Sequence, residues 1–291
     1  MNDIFVKQNT EESLLRLRAQ GHLYDSAKSY KATIVWCSVF VVAICALICS
    51  FYPQSIALQY FSVIYGAAVS VIAFILEYLR SSKKNFAARV QQLLDSELFG
   101  MKWEKIWGAK PTLDEIQDAA ANEPVDRYID WYDKAIEQVD KMRAITVCFR
   151  ININYDGKLR TMYMQRCHIL FWSFIALLII FALVTRISVA TFLYNIIIPA
   201  LPIILLYVKT WIEEKDDTNT LEKIRDEVDK IQDSLKNGRH VAHKDLVTIQ
   251  TMILKHRESC FDIPSYFYKK HRTETEESIH EFAQRLVDEI Q

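Results

Sequence analysis

Apolar and charged residues are segregated along this chain rather than interleaved. Residues 32–76 form a run of 45 without Asp, Glu, Lys or Arg; runs of 19 (167–185) and 22 (187–208) follow, parted only by Arg186. A bilayer core about 30 Å thick takes roughly 20 helical residues at about 1.5 Å each. The first run is twice that length and is interrupted by Tyr52-Pro53-Gln54-Ser55. The pattern therefore predicts two pairs of spanning helices, 32–52 with 56–79 and 167–185 with 188–210. No apolar/polar alternation marks these runs, which excludes tilted barrel strands.

The other segments carry helical spacing. Leu14 and Leu17 follow Asn9 and Glu12, a capping pair that predicts an N-terminal helix in 1–31. In the central segment 80–166, Phe86, Val90, Leu93 and Leu94 predict a helix ending near Gly100. Thr112 and Glu115 form a second capping box, and Ile129, Ile136 and Val139 suggest a long helix from about Val125 into the third span, weakest at Gly157. In the tail 211–291, Leu221, Ile224, Val228, Ile231 and Leu235 step by 3, 4, 3, 4. Asn237-Gly238 ends that seam, and Leu246, Ile249 and Ile253 resume it, which fits either an antiparallel hairpin or a homo-oligomeric coiled coil. Pro264 breaks the chain, and Thr273 with Glu276 predicts the start of a last amphipathic helix. The expected fold class is an all-α integral membrane protein, with two transmembrane hairpins and a helical cytoplasmic domain built from the central segment and the tail.

Overall composition hides this organisation. The 291 residues have 35 basic and 36 acidic side chains and a net charge of -1, a balance equally common in soluble proteins. The placement of cations is more telling. Lys28, Lys31, Arg80, Lys83, Lys84, Lys158, Arg160, Arg166 and Lys209 flank one set of span ends and Arg186 alone the other. The positive-inside rule then puts both termini in the cytoplasm and the protein, multi-pass, in a plasma membrane. No cleavable leader is expected, because the first 31 residues mix acids with bases before an overlong apolar stretch. Six cysteines without a C-x-x-C spacing argue against structural disulfides.

Candidate chemistry is sparse. Phosphate-binding, dinucleotide, serine-nucleophile and zinc motifs are absent from the sequence, and His240 and His243 lack partners for a metal, so neither catalysis nor a cofactor is expected. The spans keep no charge at their centres, which disfavours an ion pump or a coupled carrier. Gly66 and Ser70 form a small-x-x-x-small step that permits close helix approach, within the bundle or between protomers. Pro199 and Pro202 predict a kink in the fourth span, static or gating, and Asn195 is one of few polar groups available to a water path. Two basic and aromatic clusters could hold phosphates and bases or anchor at headgroups: Arg150, Asn152, Tyr155 and Arg160, then Arg257, Tyr266, Tyr268, Lys269 and Arg272.

Several stretches together resemble the SMODS-associated four-transmembrane effectors of bacterial anti-phage signalling by cyclic oligonucleotides (CBASS). They are Leu17-Arg18-Ala19-Gln20 through Leu23-Tyr24 to Ala27-Lys28, Leu98-Phe99-Gly100-Met101-Lys102-Trp103 and Asp130-Trp131-Tyr132. Cys148-Phe149-Arg150-Ile151-Asn152 follows, with Tyr155-Asp156 and Leu159-Arg160, then Arg257, Ile263-Pro264, Phe267-Tyr268, Arg272 and Glu276. Gly21, Phe149 and Ser265 depart from the pattern, Gly21 standing where Arg is expected. The resemblance implies a membrane effector that binds a cyclic di- or trinucleotide made by a partner nucleotidyltransferase, not a DNA or RNA duplex. It would then rearrange or cluster in the bilayer, as a homo-oligomer, to breach the inner membrane and abort infection. The competing expectation is a non-enzymatic scaffold or receptor recruiting proteins through its cytoplasmic helices.

Overall fold

A computed structural model describes residues 2–52, 54–120 and 124–290, and they form helices without a strand. The helices are α1 Ile4–Gln8, α2 Glu11–Val35, α3 Val42–Phe51, α4 Ile56–Phe99 and α5 Leu113–Ala120. Then come α6 Lys141–Thr185, α7 Val189–Phe192, α8 Ile198–Lys236, α9 His243–Ser259 and α10 Ser265–Ile290. Four of the continuous helical runs are long and apolar enough to cross a membrane. Their apolar windows are almost unburied within the chain, with Phe74 79%, Val184 76% and Leu183 72% exposed. Large side chains turned outward in this way suit lipid, not water.

The spanning helices do not stop where the apolar sequence stops. α4 has 44 residues and α6 has 45, so at about 1.5 Å per residue each is roughly twice a bilayer core in length. Each long helix carries an apolar half and a polar half on one rod. The chain turns between the paired apolar halves at Ser55, whose hydroxyl caps α4 at Leu58 N, and at Arg186, whose φ of 50° ends α6 in the left-handed conformation. The polar end of α4 closes on Gly100, φ 73°, with Met101 N donating to Ser96 O at 2.7 Å and Gly100 N to Glu97 O at 3.2 Å. A side chain at that left-handed position would cost backbone strain.

Two π-turns interrupt the apolar halves. One, Leu193–Ile197, immediately precedes Pro199, and Pro202 lies inside α8. A proline ring crowds the carbonyl four residues back, and a widened turn relieves that clash. The other, Trp36–Val41, has no proline; there the Tyr65 hydroxyl donates to Cys37 O at 3.2 Å, drawing a helix carbonyl toward α4. At Gly66 an added Cβ would meet nothing within 4 Å, and the exposed Ser70 hydroxyl bonds back to Gly66 O at 2.8 Å. The small-residue step is therefore not a close helix contact within this chain.

Outside the apolar halves, α2 packs along α4 and α6 along α8, while α9 lies across α4 and α8 and α10 against α6. The 221–235 seam is used internally: Leu221, Ile224, Val228 and Ile231 are buried against Leu246, Ile249 and Ile253 after the 237–238 turn. That is the hairpin, and its buried seam leaves no face for a coiled coil with another chain.

Four sequence expectations fail here. The cap of α2 is Thr10, which accepts from Ser13 N at 3.4 Å, because Asn9 closes α1 instead. Residues 125–140 form two 3-10 turns and extended backbone, and α6 begins only after Asp140, which caps Met142 N and Arg143 N. Side chains from far upstream satisfy this stretch: Gln8 bonds both Tyr132 N (2.7 Å) and O (3.0 Å), and Asn2 donates to Ile136 O and Val139 O. Backbone groups with such partners have no need of a helix. Gly157 lies unbroken within α6, and α10 starts at Ser265, right after Pro264, rather than at Thr273. The side chains of Thr273 and Glu276 lie outside the described residues.

Ile224 is wholly buried where α8 meets the core. Replacing it with Ala should cost about 2–5 kcal/mol, whereas Lys223→Ala on the exposed face should change stability by less than about 0.5 kcal/mol. Unfolding in detergent micelles measures the difference.

Candidate functional site

A cavity of about 480 Å³ lies where the polar halves of α2, α4, α6 and α8 converge with α9, α10 and the 127–133 stretch. That volume falls within the usual range for small-molecule sites. The two sequence clusters, about a hundred residues apart in the chain, meet in it: Asn152, Tyr155 and Arg160 from α6 face Arg257 from α9 and Tyr268 from α10. Arg150 points elsewhere, pairing with Asp229 of α8 at 2.6 Å. Arg272 lies outside the residues whose side chains are described. Asn195, Pro199 and Pro202 sit in the apolar half of the fourth helical run and are not part of the cavity.

Buried charges around the cavity are paired, as burial requires. Arg160 donates to Asp156 at 2.8 Å, to Asp217 at 2.8 Å and to Phe261 O at 2.9 Å. His256 Nε2 meets the same Asp156 carboxylate at 2.7 Å. Burial opposes ionisation of Asp156, but Arg160 and His256 outweigh it and hold its carboxyl below the usual carboxylate range. For Asp217 burial wins over the Arg160 charge and the carboxyl is raised.

Deeper still, Arg257 donates to the fully buried Asp95 at 2.8 Å. Tyr132 Oη donates to the other Asp95 oxygen at 2.9 Å and accepts from Asn152 at 3.0 Å. Gln250 bridges Asp95 and Gln92. Asn152 and Arg257 are thus tied by one network across α4, α6 and α9.

Lys28 departs from this pattern. It lines the cavity from α2, and among the described residues it has neither an ion-pair nor a hydrogen-bond partner. Its ammonium lies 5.4 Å from the centre of the Tyr268 ring, with Arg127 5.5 Å from the same ring and Tyr155 edge-on at 6.1 Å. Burial lowers its pKa. A half-buried cation over one ring of an aromatic pair is suited to an anion that also carries flat, apolar surface.

The residues that sequence reasoning left out of the site are Tyr24, Lys28, Lys84, Arg127, Asp156, His256 and Asp262. Tyr24, Lys28 and Asp156 lie within the stretches that carry the family resemblance. Lys84 and Asp262 had no pattern to mark them, since they meet only through the fold. Gly21 is explained by packing: a Cβ there would lie 1.9 Å from Tyr128 Oη, so Tyr128 occupies the space an Arg would need.

Long apolar helices rooted around a ligand-sized cavity with charged and aromatic side chains in its wall define a helical, multi-pass membrane protein. The sequence profile of the SMODS-associating 4TM effector domain matches residues 2–286, and the chain belongs to that family. It is 24% identical over 225 residues to a protein of Bacillus cereus strain VD146 named as a probable CBASS effector molecule, covering 75% of this chain and 76% of that one. No solved structure matches. The family is one of membrane effectors, which supports a role for the chain in anti-phage defence.

Truncating Asp95 to Ala leaves Arg257 buried without its carboxylate and should cost about 3–5 kcal/mol. The double change Asp95→Leu with Arg257→Met, which removes both charges, should cost less than the single one. Melting of the three proteins in detergent decides it. Stability should also fall in acid: Asp156 and Asp262 have depressed folded pKa values, so their contribution is complete above the ordinary carboxylate range and is lost as pH drops below it. A melting temperature that rises on acidification to pH 3 would contradict this.

Proposed function

We propose that the chain is a non-enzymatic effector of the bacterial inner membrane, with both termini in the cytoplasm, that binds a cyclic di- or trinucleotide in the 480 Å³ cavity. Binding rearranges the spans, or assembles several chains, so that the bilayer leaks and infection is aborted. The observation that carries this reading is Lys28: a half-buried cation over the Tyr268 ring, with no ion-pair partner among the described residues, in the place where both basic-aromatic clusters converge. A cyclic oligonucleotide offers the matching chemistry, phosphodiester anions alternating with flat bases. Family membership supports the same signal.

The physical route is short. A ligand shifts a conformational equilibrium only by its differential affinity for the two states. Here the cavity wall is made of the same helices that become the spans, so any change in wall spacing is a change in how those rods are splayed. No single four-helix bundle with these apolar side chains has a ready-made channel, which favours several chains clustering around the lesion. The competing scaffold reading loses one surface among the cytoplasmic helices, because Leu221, Ile224, Val228 and Ile231 of the 221–235 seam are buried.

Liposomes carrying the purified full-length protein should stay tight alone and release dye when one member of a panel of cyclic di- and trinucleotides is added. Lys28→Met should weaken the response at least about tenfold in nucleotide concentration, the factor given by about 1.4 kcal/mol of lost charge-assisted contact. Tight liposomes across the whole panel, with the protein folded and inserted, would contradict the proposal.

A further inference from the structure

Residues 260–265, the link between α9 and α10 together with the first residue of α10, are bonded to all four helices that run on into apolar spans. Phe261 N donates to Asp217 of α8 at 3.0 Å, and Phe261 O accepts from Arg160 of α6 at 2.9 Å. Ser265 Oγ donates to Asp25 of α2 at 2.6 Å. Asp262 pairs with two cations of α4: Lys84 at 3.2 Å and Arg80 at closer range, while Lys84 also donates to Cys260 O. Asp262 has a side chain only 6% exposed and Lys84 only 3%. Arg80 lies just beyond the last apolar turn of the second span and is shared with Glu77. The other side of the same segment, from Cys260 to Ile263, is cavity wall, and Lys84 lines the cavity as well.

We infer that residues 260–265 are a latch that the ligand releases: a phosphodiester entering between Lys28 and Lys84 takes Lys84 from Asp262, and the segment lets go of the four helix roots. This rests on the nucleotide reading of the cavity. Its physical basis is competition between two anions for one buried cation. Lys28 has no carboxylate within ion-pair distance among the described residues, Asp25 and Asp262 acting on it only from farther off, so it draws the phosphate in without breaking a contact. Lys84 is another cation of the cavity wall, and its carboxylate partner belongs to the latch. Once Lys84 is taken, Asp262 keeps only Arg80, which Glu77 already holds. A buried carboxylate stripped of a partner is driven toward water, and its backbone moves with it. Phe261 then loses register with Arg160 and Asp217, and the constraint joining α4, α6, α8 and α2 at one level is gone. In the empty protein the latch holds the roots together, which keeps an effector silent until its signal arrives.

The test uses full-length protein in liposomes without nucleotide. Asp262→Asn should leak roughly tenfold faster than wild type or more, the factor that about 1.4 kcal/mol of lost latch energy gives. Asp262→Asn combined with Lys28→Met should leak equally fast, since release lies downstream of binding. A tight Asp262→Asn protein, alongside a wild type that opens with nucleotide, would overturn the latch and leave the nucleotide reading standing. A wild type that binds no nucleotide would end that reading, while leakage by Asp262→Asn would still establish the latch. In case the variants do not fold, amide exchange on the wild type gives a second measurement. Nucleotide should speed exchange at Phe261, whose N–H is held by Asp217; unchanged or slower exchange there would overturn the proposal.

Discussion

Arg160 makes the contact on which the arrangement turns. Its guanidinium holds Asp156 of its own helix, Asp217 of α8 and the carbonyl of Phe261, so one buried cation fixes the spacing of two spanning helices and the 260–265 segment. Burying a guanidinium among helices is tolerable only when its donors are satisfied, and here three acceptors from three elements do so. Around it the same rule repeats, in Arg257 with Asp95 and in Lys84 and Arg80 with Asp262. The result is a set of internal ion pairs along the polar halves of these helices, several of them lining the cavity. Such pairs contribute less to net stability than to uniqueness of arrangement, and an arrangement specified by charges is one that another charged molecule can respecify.

Rod continuity gives those ion pairs their reach. Because α4 and α6 pass from polar to apolar surroundings without a break, a displacement at the ion pairs is transmitted along a stiff helix and is not absorbed by a linker. The compliant places lie farther along, at the Trp36–Val41 and Leu193–Ile197 π-turns, both inside apolar halves. Sites of irregular hydrogen bonding are where a helix bends at least cost. The geometry pairs rigid roots at the cavity with softer joints at membrane depth.

Much of this was legible in the sequence, for identifiable reasons. The four apolar runs announce themselves because a bilayer tolerates no mid-span charge, and Tyr52–Ser55 and Arg186 mark the turns by interrupting them. The 221–235 seam and its 237–238 turn were readable because helical periodicity is local. The loop from 125 to 140 was not, since the side chains that replace its helix are Asn2 and Gln8, more than a hundred residues away. The two basic-aromatic clusters were visible, but not that members of both line one cavity, nor that Arg150 points out of it toward Asp229. Lys84 and Asp262 read as ordinary solvated charges until the fold buries them against each other.

The most direct measurement is photocrosslinking of an azido-substituted cyclic nucleotide to the full-length protein in native membranes, with the modified residues mapped by mass spectrometry. The account predicts adducts on the walls of the cavity, in the stretches containing Tyr24 and Lys28, Tyr155, and Tyr268, competed away by unlabelled nucleotide. Competable adducts confined to surfaces away from those stretches would contradict it.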